Sequence, residues 1–570
     1  MKLRTAGSTA IPNKRAKIFF AAAFLLTLFR VLLAVKVPLF IQGNAAYDDF
    51  LMVRYAAYMV AGQWLGPFSH MVCVKGITFP LFLALNYLTG LSWSFTLILL
   101  NILAAAFIVR ALKPWLGHSI TAISLYLFLI YSPVTLATQK SGVVYRDSII
   151  APVLLVVLGC AIGLYLRRDR QDRTLIPWAA GLGVSFALFW NIREDTIWLL
   201  PFVVVAVAVT AIGWWRQNRR LTRSEITILI LPFFCLLIFQ LGQGAINYAA
   251  YGQFMVNDRT ATSEADVMAD LIRLDDGGDN STVWISKDGL ALAYKASPTL
   301  AQARDGIAES LGAWGCADTA RGLTGDITVW AIRDGVMRAG HYQNAAETEA
   351  FYAKIHSELK AAYASGQLTR RPGFYVSKLA RSMTAADGPL FVQNFVTGWK
   401  DLIHYNFYTS EVLAAIGPVD RIRTMEVMAN ATVLYPEGVF DTAEECVGQT
   451  ALAKVGNICA RVANGIIRLY QLTGAVLTGL ALVGYVVLTG AEIRRIRRKQ
   501  KGDPAIWLVL TGLWLSSLIL MFGVVWFTSF MQGDYAFNLF YYTTPVATVL
   551  QVIQFLTVMW GVRWGMMMKK

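Results

Sequence analysis

Six carboxylates keep suggestive company. Asp48 and Asp49 are adjacent, Asp147 follows Arg146, Glu194 and Asp195 follow Arg193, and Asp534 precedes an aromatic run. Paired carboxylates at a wet surface suit general-base chemistry, in which one ionised oxygen takes the proton of an attacking hydroxyl or amine. The cations among them, Arg54, Lys75, Lys140, Arg146 and Arg193, suit a phosphate, which a guanidinium can grip through two parallel hydrogen bonds. Each feature also has a plain structural reading. Asp48 and Asp49 could cap the helix that starts beside them, Arg146 could pair with Asp147, and Arg193 with Glu194. No Ser-His-Asp order, phosphate loop or dinucleotide fingerprint is present. His70, His341, His356 and His404 lack ligand spacing.

A membrane must position these residues. The chain of 570 residues is 56% hydrophobic and 15% charged, with mean hydropathy +0.50, a composition foreign to soluble domains. Apolar runs long enough to cross a hydrocarbon core of about 30 Å cover 18–40, 93–112, 118–137, 148–166, 175–190, 196–213, 226–249, 466–489, 505–529 and 535–562. The first is read as a retained span rather than a cleaved signal. Segment 77–91, interrupted by Pro80, Asn86 and Gly90, reads as a juxtamembrane or re-entrant helix. Every basic cluster then shares the side of the N-terminus: Arg110 and Lys113, Arg167 to Arg173, Arg216 to Arg223, and Arg494 to Lys501. The positive-inside rule makes that side the cytoplasm.

The predicted fold is therefore an α-helical polytopic membrane protein of about ten transmembrane helices with juxtamembrane helices. Residues 1–249 form an N-terminal membrane domain whose first outer loop, 41–92, holds the acidic pair. Residues 250–464 form a mostly helical extracytoplasmic insert, and 465–570 a C-terminal membrane domain. Helices are expected over 299–313, 345–364 and 373–381. Both termini are expected in the cytoplasm and the carboxylates outside, with a bacterial inner membrane as the setting. The net charge of +15 does not signal nucleic acid. Residues 251–462 carry 25 acidic and 19 basic side chains, so the basic excess lies in the short loops between spans.

Three other features are ambiguous. Arg30, deep in the first span, is costly there and is expected to pair with Glu194 or Asp195 or to snorkel. Tyr535, Phe537, Phe540, Tyr541 and Tyr542 read as an interfacial belt, with stacking on a sugar as the alternative. Six cysteines show no zinc spacing. Cys446 and Cys459 are the nearest candidates for a disulfide in the insert.

Tyr47-Asp48-Asp49-Phe50 with Ala56 and Gly62 resembles the first outer loop of the C-type membrane glycosyltransferases. That superfamily includes protein mannosyltransferases and the aminoarabinose transferase of lipid A. Asp48 matches the first acid of their Asp-Glu pair, the catalytic base, and Asp49 replaces the Glu. Lys75-Gly76-Ile77-Thr78-Phe79-Pro80-Leu81 resembles the segment leading into their proline-containing helix, with one Pro kept. Ser132-Pro133 with Tyr145-Arg146-Asp147, and Asn191-Ile192-Arg193-Glu194-Asp195 with Leu200-Pro201, resemble two further stretches. The likeness covers roughly 18–210 and leaves the insert and the last three spans unmatched. It implies that Lys75 contacts a lipid phosphate and that Asp147 faces the same cavity as Asp48.

These readings converge on an inverting glycosyltransferase. It would move a sugar from a polyprenyl-phosphate-linked donor to a glycan, lipid or protein acceptor on the extracytoplasmic face. Asp48 would be the general base, with Asp49 beside it. Lys75, Arg146, Asp147, Arg193, Glu194, Asp195 and Arg54 would bind the donor phosphate and substrates. Two adjacent carboxylates could hold a divalent metal, but cationic side chains can replace one at a monophosphate, so no metal or other cofactor is expected. Membrane lipids are partners and nucleic acid is not. A transporter or flippase of lipid-linked saccharide would instead line several mid-span positions with charge. A non-catalytic envelope-assembly protein would tolerate loss of Asp48.

Overall fold

The computed structural model describes residues 14–568 except 118, 171, 279–282, 315–321, 326, 376, 441–442, 501, 503 and 532–534. Asp534 and Cys316 lie outside the described residues. The chain opens with α1 (Lys14–Lys36), α2 (Asp49–Val60), α3 (Thr78–Thr89), α4 (Trp93–Leu116) and α5 (Ser119–Ile130). The one-turn helices α6 (Pro133–Leu136) and α7 (Thr138–Ser141) follow. Then come α8 (Asp147–Leu166), α9 (Asp172–Trp190), α10 (Leu200–Asn218) and α11 (Arg223–Tyr251).

Eight helices among the described residues are long and apolar enough to cross a bilayer, and the protein is an α-helical polytopic membrane protein. Burial ranks them. Within its most apolar stretch α8 is 89% buried, whereas α1 and α11 are 17% buried, so α8 is the centre and the other two face lipid. Small residues let neighbours reach α8. A Cβ on Gly159 would meet the Phe107 ring at 2.9 Å, and one on Gly163 the Trp178 ring at 2.2 Å.

Several expected boundaries move. The run 118–137 does not span as one helix. Pro133 opens α6, and Ser132 before it has extended backbone, φ −57° and ψ 143°, because a residue preceding proline is pushed out of the helical region. This leaves α5 only 12 residues, about 18 Å. The expected span 175–190 forms α9, packed beside α8 and α11; it is not among the eight. Helix α3 has 12 residues, short of a crossing, as its interruptions foretell. The last apolar run divides at Thr543 into Tyr535–Tyr542 and Thr544–Met568.

The insert is less separate than expected. Helix Ala443–Arg497 runs unbroken for 55 residues, about 82 Å, so the boundary at 464 falls inside it. Cys446 and Cys459 share this helix, about 20 Å apart along its axis, too far for a disulfide; Cys459 is a free thiol. Residues between Val267 and Leu368 gather their own core, with Trp284, Ile307 and Ile332, against Trp526 and Phe530. Leu402, Tyr405, Ile422 and Val433 instead join the core of the membrane helices. Helix Ala345–Ala364 forms as expected, whereas 299–313 divides into Pro298–Ala301 and Arg304–Ala313. The described residues of 373–381 are not helical. The segment follows Pro372, begins at Gly373 with φ +121°, and pairs Phe374 with Met383 as an antiparallel bridge.

Candidate active site

Asp48 occupies the N-cap position of α2, yet its side chain makes no capping hydrogen bond. It turns instead to the ammonium of Lys75, an ion pair, and accepts a hydrogen bond from the Tyr145 hydroxyl at 3.5 Å. The capping reading therefore fails for Asp48. Its side chain is 48% exposed, within reach of an incoming group. Asp49 is 3% exposed, and its Oδ2 has no hydrogen-bond partner among the described residues.

The neighbours drive these two carboxyls apart. Burial pushes Asp48 up, but the charges of Lys75 and Arg146 and the Lys75 hydrogen bond outweigh it and hold Asp48 below its usual range. Burial pushes Asp49 well above that range, and the negative charges of Asp48 and Asp147 add to the push. The two carboxyls of the pair are thus shifted in opposite directions. Such a split is how sites assign base and acid roles to like residues.

The loop carrying Lys75 is fixed by backbone contact. A Cβ on Gly76 would lie 2.1 Å from the carbonyl oxygen of Asn191, so only glycine lets the loop lie on that turn. Thr78 donates its N–H to the same carbonyl at 3.1 Å and its hydroxyl to Leu188 O at 2.7 Å. This docks the Lys75 loop on the end of α9, where Arg193, Glu194 and Asp195 begin the next turn.

Two of the ion pairs here cross between loops, and a third joins Arg193 to Asp195 within one turn. Arg146 donates to both Glu194 oxygens, at 3.2 and 3.0 Å, and its Nε to the Tyr145 hydroxyl at 3.2 Å. Arg193 pairs with Asp147 at 3.1 Å and with Asp195. The expected Arg146–Asp147 and Arg193–Glu194 pairs do not form. Burial pushes the Glu194 carboxyl up, but Arg146 and then Lys75 overcome it and hold it down at about 2. Asp147 is 2% exposed, with Oδ2 unpartnered among the described residues. Asp48, Asp49, Lys75, Arg146, Asp147, Arg193, Glu194 and Asp195 thus form one cluster.

Two expected members are elsewhere. Arg54 lies a turn and a half along α2 and acts on Tyr55 and His70; it is not among the leading charges on Asp48. Arg30 meets neither Glu194 nor Asp195. Its Nε donates to Ile130 O at 2.9 Å, and one Nη donates to Thr135 O. The two carbonyls lie at the end of α5 and in α6, and they also accept from the Thr135 and Ser141 hydroxyls.

Residues with no local motif complete the cluster. Arg259, on the one-turn helix Asp258–Ala261, is among the charges acting on Asp48 and Glu194. Its guanidinium lies 4.7 Å from the centre of the Trp330 ring, and Lys75 Nζ lies 5.1 Å from it. Trp330 also touches Tyr47, ring centres 5.2 Å apart. The Asp258 N–H donates to Cys73 O at 2.8 Å, and Arg333 pairs with Asp258, which ties this part of the insert to the Lys75 loop. On the other flank Tyr541 lies 5.7 Å from Tyr145. Arg193 sits 4.9 Å from the Tyr542 ring. Those two tyrosines belong to the cluster, not to a lipid-facing belt. Lys140, 1% exposed, donates to Phe540 O and Tyr541 O and holds that flank to α7.

No group of three or more His, Cys, Asp and Glu able to hold a metal occurs among the described residues. Two solved structures resemble the chain. They are ArnT from Cupriavidus metallidurans, in the apo state and bound to undecaprenyl phosphate. Each aligns over 95% of this chain and 78% of its own, at 12% identity, with TM-scores of 0.31 and 0.30. Likeness at that level carries no argument about chemistry. No protein-family model and no curated protein matches the chain.

Proposed function

We propose that this protein is an inverting glycosyltransferase that takes a sugar from a polyprenyl-phosphate-linked donor, with Asp48 as the general base and the site on the extracytoplasmic face of a bacterial inner membrane. The observation that carries the reading is the divided acid pair. A half-exposed, ionised Asp48 clamped by Lys75 adjoins a buried Asp49 pushed toward neutrality. Asp48 takes the proton of the acceptor hydroxyl or amine. The acceptor atom bonds to the anomeric carbon on the face opposite the phosphate, the carbon–oxygen bond to phosphate breaks, and the polyprenyl phosphate leaves with that electron pair. One displacement inverts the anomeric centre.

Lys75 uses one of its three protons on Asp48 and offers the others to the lipid phosphate. Arg259 and Arg146 add positive potential where charge develops on the leaving group. The unpartnered oxygens of Asp49 and Asp147 suit sugar hydroxyls, and Tyr541 suits a sugar face. The reading needs no metal. The test is transfer by the purified protein from synthetic polyprenyl-phosphate sugars, with the product anomer read by NMR. The opposite anomeric configuration to the donor is expected. Retention would overturn the single displacement.

A further inference from the structure

A small cavity of about 40 Å³ lies among α1, α4, α6 and α7 and the long helix Ala443–Arg497. Arg30, Asn101, Ser94 and Thr138 bring polar groups to its wall, and none of the carboxylates of the site lines it. Arg30 is 3% exposed. No carboxylate pairs with it among the described residues, and Tyr131 is the one other titratable group acting on it. A membrane-buried guanidinium without a counter-charge is expensive. Two carbonyls occupy its Nε and one Nη, and the remaining Nη makes no hydrogen bond to the protein among the described residues.

The donors left over around this cavity point to an anion. Asn101, 4% exposed, gives one amide proton to Leu97 O at 2.9 Å and keeps one. Thr138 and Ser141 are committed to the carbonyls of Glu411 and Thr135, at 2.8 and 2.7 Å. The depth indicates the source. Arg30 lies about 9 Å along the helix from Lys36, just below the end of α1. The flanking Phe29 and Leu32 are 39% and 48% exposed. A headgroup phosphate can reach this level while its acyl chains stay against α1.

We propose that this cavity binds the phosphate of an anionic phospholipid headgroup through Arg30 and Asn101, at a site distinct from the carboxylate cluster. The full chain is purified in mild detergent, incubated with phosphatidylglycerol or with neutral phosphatidylcholine, and weighed by native mass spectrometry. Wild type should retain one phosphatidylglycerol in preference to phosphatidylcholine. Asn101→Asp supplies an internal counter-charge beside Arg30. It should stay folded and lower phosphatidylglycerol occupancy at least about tenfold. Arg30→Gln should do the same, and Asn101→Asp keeps the proposal falsifiable if Arg30→Gln fails to fold. Equal retention of both lipids by wild type, or unchanged phosphatidylglycerol retention by Asn101→Asp, would overturn the proposal. Protection against thermal unfolding by inorganic phosphate equal to that by the lipid would overturn the lipid assignment. Sugar transfer is not read, so the outcome is independent of the proposed activity.

Discussion

Replacing Arg193 with Met should destabilise the protein through one stranded charge. Arg193 is 3% exposed and Asp147 is 2% exposed; they pair at 3.1 Å, and Asp147 has no second partner among the described residues. Removing one member of a buried pair leaves the other without a counter-charge and costs about 3–5 kcal/mol. The Asp195 arm adds little, because its side chain is 38% exposed and such pairs contribute about 0–1 kcal/mol. Asp195→Asn alone should therefore cost no more than about 1 kcal/mol. The double variant Arg193→Met with Asp147→Leu should recover most of the loss, since apolar replacement of a whole buried pair is often neutral. Unfolding of these variants and of Asp147→Leu alone in mixed micelles, followed by circular dichroism, gives the four values and the Arg193–Asp147 coupling. A cost below about 1 kcal/mol for Arg193→Met, or a double variant equal to the sum of its singles, would refute the reasoning.

The pH dependence follows from Asp48, which is held below the usual carboxylate range. It remains ionised as pH falls toward the ordinary value of about 3.9, so kcat/KM should show no acidic limb above about pH 5. Half-loss near neutrality would show that Asp48 is not the ionised base. Glu194, held at about 2, contributes stability that is full above the usual carboxylate range and lost as pH falls through about 2, which melting across acidic pH would display. Gly76→Ala would drive a Cβ to 2.1 Å from Asn191 O. Two backbones must part, so it should cost about 1–3 kcal/mol and lower transfer by displacing Lys75; wild-type melting and rate would discount the contact.

The residue types of the site were legible because they are rare in an apolar chain. Asp48, Lys75, Arg146 and Arg193 stand out wherever charge is scarce, and the resemblance in the first outer loop ranked Asp48 above Asp49. Their pairing was not legible. Neighbours in sequence suggested Arg146 with Asp147, whereas the fold crosses the loops and joins Arg146 to Glu194. Arg259 and Trp330 carry no motif and reach the cluster only because Arg333, Asp258 and Cys73 bind part of the insert to the Lys75 loop. The break at Ser132-Pro133 could have been read from the proline alone. The long helix could not be read from hydropathy, since Lys454, Asn457, Arg461 and Asn464 interrupt the apolar residues of its first part, which merely lacks a proline to stop it. The position of Arg30 in an apolar span shows its cost, but its partners are backbone carbonyls, which no side-chain pattern reveals.

The most direct test of the central claim is transfer by Asp48→Asn. Asp48 makes no capping bond, so the amide should leave insertion intact while removing the proton acceptor; it also takes the counter-charge from the buried Lys75 ammonium, so melting should fall and transfer is compared on folded protein. Sugar transfer should fall by about 10² to 10⁴, with a smaller loss for Asp49→Asn. Transfer within a few-fold of wild type by a folded Asp48→Asn protein would contradict the assignment of Asp48 as the base.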